Sequence, residues 1–258
     1  MIHIISGWTK EGGSTEAFIN LTNAFNKYNI KCCFYGKDNY PINRCNFKNI
    51  TKFQYSKYDI IISHFLKPTK FDCKKHILSC HESEIYPLYK IQNLNVWDKI
   101  HFVSKWQRDY HNINYSNFIC PNIIDPKLKP INHNFNKKIG GVIGSIDINK
   151  QTHISIKKAI EDNCDEIYIF GKITNSNYFN VYVKPLLNDK IKYMGYIENK
   201  RIIYDLCSDI YHYSLKETFG LVGAECEITK TNYHSNLHNF KVLSEEEIIN
   251  KWKKEVIS

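Results

Sequence analysis

Short, continuously apolar runs alternate with helix-like segments along most of this chain. The first run is IHIIS at residues 2–6, and apolar residues recur on one helical face over residues 14–28. Continuous apolar runs are typical of parallel strands that are buried on both faces, so the alternation predicts βαβ units. Further strands are expected at residues 30–35, 58–63, 76–80, 100–104, 117–122, 139–145, 166–171, 191–195 and 209–214. Helices are expected at residues 104–111, 152–162, 177–187, 199–207 and 244–256, the last starting with a capping box of Ser244 and Glu247.

The alternation is interrupted at residues 121–138. This stretch contains three prolines and several asparagines and has no clear period, so it is predicted to be a linker. Two β/α halves joined in this way predict two doubly wound, Rossmann-like domains, residues 1–130 and 131–258. Ligands bind beyond the carboxyl ends of the strands in such folds, so the site is expected in a central cleft that both domains face.

Composition argues against several other classes of protein. No apolar run approaches the ~20 residues of a membrane-spanning helix, and the first residues do not resemble a signal peptide. The nine cysteines include no Cys-x-x-Cys pair, which favours free thiols over a disulfide framework or a zinc site. A cytoplasmic protein is expected, and peripheral attachment to a membrane surface stays open.

The net charge of +9 is unevenly distributed. Residues 1–130 contain 18 Lys and Arg against 10 Asp and Glu, whereas residues 131–258 contain 17 against 16. An excess of positive charge favours an anionic partner such as DNA or a membrane-surface glycan. Aromatic and basic residues also interleave over residues 44–75, as on some nucleic-acid-binding faces. The alternatives are lysine enrichment from an AT-rich genome and a solvated sheet edge.

Two glycine turns precede predicted helices. Gly12 and Gly13 allow close backbone approach at the start of the first helix, although no common nucleotide fingerprint is present. In KETFGLVGAECE, residues 216–227, the amides of Gly220, Leu221 and Val222 would start a helix and could bind a diphosphate.

Two carboxylates flank the second turn. Glu217 precedes it and could hold a sugar, while Glu225 lies one to two helical turns beyond it and could accept hydrogen bonds from ribose. The alternative is an ordinary helix start with two solvated glutamates.

The segment SDIYHYSLKETFGLVGAECE resembles the signature of retaining glycosyltransferases of family four, which have the GT-B fold. GGSTEAFINLTNAF resembles that family's first glycine loop and helix, and LSCHES resembles the strand that ends in its active-site histidine. GGVIGSIDINKQTHISIKKAI resembles its phosphate-binding strand and helix. The resemblance extends from about residue 2 to residue 228 of this compact chain.

The resemblance implies a set of roles. His81 and Glu217 would be catalytic: Glu217 would contact the donor sugar, and His81 the sugar or the reacting region. Lys150 would neutralise the diphosphate, and Glu225 would bind the ribose. The donor-binding set is Gly12, Gly13, Lys150, Phe219, Gly220, Leu221, Val222 and Glu225. The expected reaction transfers a hexose from a nucleotide-sugar, such as a UDP-sugar, with retention of configuration. Neither a metal nor another cofactor is expected.

The sequence departs from the family pattern at several positions. Ser145 stands where an arginine is usual, Ile123 follows Asn122 where the family has glycine, and no strand is recognisable after Glu225. The acceptor could be a glycan, a lipid-linked glycan or hydroxymethylated DNA, as in viral DNA modification. The alternative from another class is a non-catalytic module that binds a nucleotide-sugar or a nucleic acid.

Overall fold

The computed structural model divides into two compact units. The first unit comprises residues 1–124 and 241–258, and the second comprises residues 125–240. The structure describes residues 1–82, 94–132, 136–238 and 240–257. Residues 133–135 of the predicted linker lie outside this part of the chain.

The first unit contains a parallel sheet in the order β3-β2-β1-β4-β5-β6-β7. Its strands are β1 Ile2–Ser6, β2 Cys32–Gly36, β3 Phe47–Asn49, β4 Ile60–His64, β5 Lys75–Cys80, β6 Lys99–Phe102 and β7 Asn117–Ile119. The helices of the same stretch are α1 Gly13–Lys27 and α2 Lys105–His111. Strands β1, β2 and β4 are buried along their whole length, as their continuous apolar sequences predicted.

The second unit contains a parallel sheet in the order β10-β9-β8-β11-β12. Its strands are β8 Ile139–Ile143, β9 Glu166–Phe170, β10 Ile191–Gly195, β11 Asp209–Tyr211 and β12 Asn232–His234. Its helices are α3 Thr152–Glu161, α4 Ser176–Tyr178, α5 Lys200–Leu206 and α6 Leu221–Thr229, and α4 continues into π and 3-10 turns over residues 179–186. Strand β12, which the sequence did not reveal, pairs with β11.

In each sheet, the order in which the chain adds strands reverses once. In the first sheet the chain adds β2 and β3 on one side of β1 and then returns to place β4 on the other side. In the second sheet it adds β9 and β10 beside β8 and returns to place β11 on the other side. Ligands bind at the carboxyl ends of the strands at such a switch point. Candidate ligand sites therefore lie at the carboxyl ends of β1 and β4 and at the carboxyl ends of β8 and β11.

The final helix, α7 Glu245–Ile257, packs in the first unit. The sequence placed it in a second domain of residues 131–258. Its apolar side chains join the core of the first sheet, where Trp252 meets Phe25 with ring centroids 6.0 Å apart. The ion pair of Lys27 with Glu245 fixes α1 against α7. The predicted capping box is confirmed, because Ser244 Oγ accepts from the Glu247 amide at 3.2 Å and Glu247 Oε2 accepts from the Ser244 amide at 2.8 Å.

No helix in the part of the chain that the structure describes is both long and apolar enough to cross a membrane. All nine cysteines lie in that part and carry free thiols.

Candidate active site

One histidine joins the two strands at the switch point of the second sheet. His212 directly follows β11, and its Nδ1 donates to the carbonyl oxygen of Ile143, the last residue of β8, at 2.9 Å. Its Nε2 lies 2.7 Å from Oε1 of Glu217. The ring therefore links the end of β8 to the Glu217 carboxylate. The carboxylate of Glu217 is thereby held at the switch point.

Glu217 is also paired with Lys150. The ammonium group of Lys150 contacts Glu217 Oε1, and the Ser214 hydroxyl donates to the same oxygen at 3.0 Å. Burial raises the pKa of Glu217, but the positive charge of Lys150 and the hydrogen bond from His212 outweigh it and lower that pKa to about 2. Glu217 is therefore a carboxylate at neutral pH, and Lys150 keeps 24% of its side chain exposed.

The loop after β8 supplies this lysine. Asp147 organises the loop, because its Oδ1 accepts from the Lys150 amide at 2.9 Å and its Oδ2 accepts from the Ser145 hydroxyl at 2.6 Å. Ser145 thus supports the loop and brings no charge of its own. The positive charge that this loop delivers to the switch point is that of Lys150.

The predicted glycine turn lies before α6. Gly220 adopts a left-handed backbone with φ 81°, which glycine tolerates far better than other residues. Ala224 is the first residue whose amide bonds back into the helix, to the Gly220 carbonyl at 3.2 Å. The amides of Leu221 and Val222 precede that bond and lie at the positive end of the helix dipole. Phe219 is buried and fixes the start of the turn.

Glu225, the fifth residue of α6, is almost fully buried at 2% exposure. One carboxylate oxygen pairs with the ammonium group of Lys200, and the other accepts from the Tyr204 hydroxyl at 2.6 Å. Burial and the negative charge of Glu225 together raise the pKa of Tyr204 well above its usual value. A ribose would have to use the remaining lone pairs of this carboxylate, beside Lys200.

His81, Gly12 and Gly13 lie in the first unit. Gly12 precedes α1 and Gly13 is its first residue. A Cβ on Gly12 would meet no atom of the described residues within 4 Å.

Hydrogen bonds determine which ring nitrogen of His81 carries a proton. His81 directly follows β5. His101 Nε2 donates to the Cys120 carbonyl at 2.8 Å, so its Nδ1 accepts from the Ser79 hydroxyl at 2.8 Å. Ser79 Oγ then accepts from His81 Nε2 at 3.1 Å. Burial is the main cause that holds the pKa of His81 well below its usual value, and the neighbouring His64 and His101 lower that pKa further. His81 is thus a neutral ring whose Nδ1 accepts hydrogen bonds.

Sequence reasoning missed His212, Lys200 and Tyr204. His212 lies inside the run DIYHYS, which was interpreted as strand to residue 214, whereas β11 ends at Tyr211. A histidine directly after a buried strand was the available signal. No local pattern indicated Lys200 and Tyr204, because they reach Glu225 through the packing of α5 against α6.

Comparison with known proteins finds similar structures but no similar sequences. No protein-family model matches the chain, and no curated protein matches it in sequence. Among solved structures, TarM superposes with a TM-score of 0.73 at 12% identity, over 98% of this chain and 90% of TarM. Anabaena HepE in complex with UDP-glucose gives 0.70 at 12% identity, with the same two coverages. A glycosyltransferase from Rickettsia africae gives 0.69 at 13% identity, over 98% of this chain and 86% of that protein.

These proteins share the GT-B fold, so the predicted fold class is confirmed. The two parallel-sheet, Rossmann-like units of this chain are those of a glycosyltransferase fold. At such low identities the likeness establishes the fold alone.

Proposed function

We propose that this protein is a glycosyltransferase that moves a hexose from a nucleotide-sugar to an acceptor with retention of configuration. The observation that carries the proposal is the cluster of Lys150, Glu217 and His212 at the switch point of the second sheet, in the same unit as the amino end of α6, which no side chain of the described residues caps. This cluster would place the ammonium group of Lys150 beside a diphosphate and the Glu217 carboxylate beside its sugar. The sequence resemblance to family four is consistent with this assignment.

The geometry of the second unit supports a donor-binding role for several residues. The amides of Leu221 and Val222 and the ammonium group of Lys150 would take the diphosphate. Glu217 would accept hydrogen bonds from the donor sugar, since it is ionised and held by His212. Glu225 would contact the ribose. HepE has been captured with UDP-glucose, so UDP-sugars are the first donors to test.

Departure of the nucleoside diphosphate is the step that these residues would assist. Negative charge grows on the diphosphate as the glycosidic bond breaks, and fixed donors that already point at it lower the barrier. Lys150 and the positive end of α6 would supply that stabilisation. In keeping with the resemblance, we expect no metal ion or other cofactor to be needed.

We propose a glycan or lipid-linked glycan as the acceptor, in preference to hydroxymethylated DNA. Several basic and aromatic residues of the stretch 44–75 are engaged in contacts within the protein. Lys75 lies at the amino end of β5 and donates to the Glu255 carbonyl at 2.9 Å. Phe53 and Tyr55 stack with centroids 5.4 Å apart, and Phe71 packs against both. An anionic glycan on a membrane surface stays compatible with the charge of residues 1–130.

A non-catalytic module that binds a nucleotide-sugar is the second candidate. Ser145 favours it, because one positive charge of the family pattern is missing from the loop after β8. Two measurements separate the candidates. A thermal-shift screen with UDP-, GDP-, ADP- and CMP-sugars finds the donor, which should stabilise the fold by ~2.7 kcal/mol at a hundred times its dissociation constant. Release of free nucleotide on prolonged incubation then distinguishes an enzyme from a binder.

A further inference from the structure

Trp8 is an exposed indole at the switch point of the first sheet. It lies two residues beyond the end of β1 and keeps 43% of its surface exposed. Ser6 fixes its backbone, because the Ser6 hydroxyl donates to the Trp8 carbonyl at 2.5 Å and accepts from the Trp8 amide at 3.0 Å. Lys10 extends its ammonium group to 5.5 Å from the ring centroid. The result is a large aromatic face on a fixed backbone.

Ser6 is also linked, through His64, to the carboxylate of Glu82. Ser6 Oγ also lies 2.8 Å from His64 Nδ1, and His64 Nε2 lies 2.9 Å from Oε1 of Glu82. The other oxygen of Glu82 accepts from the His81 amide at 3.2 Å. Glu82 remains 31% exposed, so this positioned carboxylate also has access to a ligand.

These two groups share one edge of the sheet. Trp8 follows β1 and Glu82 follows β5, and β4 lies between those strands with His64 at its end. Two strand spacings of ~4.8 Å put the strand ends roughly 10 Å apart. The backbone between them is tightly packed, since a Cβ on Gly7 would lie 2.1 Å from the Phe65 carbonyl oxygen. Phe65 itself has a φ of 54°, a strained value of the kind that clusters at binding sites.

We propose that Trp8 and Glu82 form a subsite for a sugar of the acceptor glycan. The indole face covers the apolar C–H face of a pyranose, and the Glu82 carboxylate accepts hydrogen bonds from its hydroxyl groups. A nucleic acid fits this pair less well, because Glu82 would repel phosphates. The inference rests on the proposed function in so far as it calls this sugar the acceptor; the binding itself is independent of the donor.

The test measures sugar binding by saturation-transfer NMR, with tryptophan fluorescence as a second readout. The probes are methyl glycosides and disaccharides of glucose, galactose, mannose and N-acetylglucosamine, together with a hydroxymethylated DNA oligonucleotide. The variants are Trp8→Ala, Trp8→Phe and Glu82→Gln, each with its melting temperature. Trp106→Phe is the matched control, since Trp106 lies on α2 and stacks on Tyr110.

We expect at least one sugar to bind wild type and Trp106→Phe equally. Its affinity should fall about tenfold or more in Trp8→Ala, less in Trp8→Phe, and several-fold in Glu82→Gln. The proposal is overturned if no sugar in the panel binds, if a folded Trp8→Ala variant binds as wild type does, or if only the oligonucleotide binds. UDP-glucose and the other donors are screened in the same samples. Sugar binding through Trp8 without any donor binding would sink the proposed function and leave the subsite standing, and the reverse result would do the opposite.

Discussion

Lys150 and Glu217 meet as a half-buried ion pair at the carboxyl edge of the second sheet, and His212 contacts the same carboxylate from the other strand of the switch point. The pair places a positive charge and a negative charge in fixed positions before any ligand arrives. A diphosphate would compete with Glu217 for Lys150, while His212 would keep the carboxylate in place for the sugar. Lys150 would therefore contribute both to binding the diphosphate and to positioning the Glu217 carboxylate.

The pKa of Glu217 predicts a pH dependence of stability. Its folded-state pKa of about 2 lies below the ordinary value of 4.5, so the carboxylate contributes stability that is fully present above pH 4.5. That contribution, up to about 3 kcal/mol, should be lost as pH falls from 4.5 through 2. Urea unfolding of wild type and Glu217→Gln from pH 6 to pH 2 measures it. The difference between the two free energies of unfolding should shrink toward acid, and a constant difference would show that the ion pair is not formed.

Substitutions at Glu225 and Tyr204 distinguish a contact with the ligand from a contact that only stabilises the fold. Glu225→Ala should remove the ribose contact and the ion pair with Lys200, so nucleotide affinity falls by roughly 1.5–3 kcal/mol. Tyr204→Phe keeps the carboxylate and removes one hydrogen bond, so it should lower stability by about 1 kcal/mol with little effect on nucleotide affinity. Calorimetry and urea unfolding of both variants check this. Unchanged nucleotide affinity in Glu225→Ala would mean that Glu225 only supports the packing of α5 on α6.

Gly220 can be tested against a glycine with similar backbone geometry elsewhere in the second unit. Gly220 has φ 81° before α6, and Gly195 has φ 75° at the end of β10. Alanine at either position should cost about 1–2 kcal/mol of stability. Gly220→Ala should in addition weaken nucleotide binding, because it disturbs the amides that receive the diphosphate. Equal nucleotide affinity of the two variants would argue against an anion site at α6.

The stereochemical course of the reaction is a separate prediction. The product should keep the anomeric configuration of the donor, and EDTA should leave the rate unchanged. Proton NMR of the product's anomeric signal decides the first point, and a rate measurement with and without chelator decides the second. Inversion, or complete loss of activity on chelation, would remove the basis for the family-four resemblance.

The alternation of apolar runs was sufficient to predict most strands of both sheets, because strands buried on two faces leave a continuous local signal. The capping box of Ser244 and Glu247 was equally local. The placement of α7 was not, because its apolar face matches partners on α1 that lie more than two hundred residues earlier. Strands β3 and β12 were not predicted, because their sequences FKN and NYH contain no continuous apolar run.

The candidate site shows the same division. The glycine turn and the two glutamates were visible as a short motif, and the structure places Lys150 directly against Glu217. The partners that hold these groups came only with the fold. His212 reaches Glu217 because β11 ends earlier than its apolar sequence suggests, and Lys200 reaches Glu225 because α5 packs beside α6. Side-chain pairing across elements has no signature in a single sequence.

The most direct test of the account is a calorimetric titration of wild type and Lys150→Ala with UDP, GDP, ADP and CMP. Wild type should bind at least one nucleotide saturably, and Lys150→Ala should bind it about tenfold to a hundredfold more weakly, since a charged contact to the phosphate is lost. Melting temperatures of both proteins confirm that the variant is folded. Failure of all four nucleotides to bind wild type, or equal affinity in the two proteins, would contradict a nucleotide-sugar site at the switch point of the second sheet.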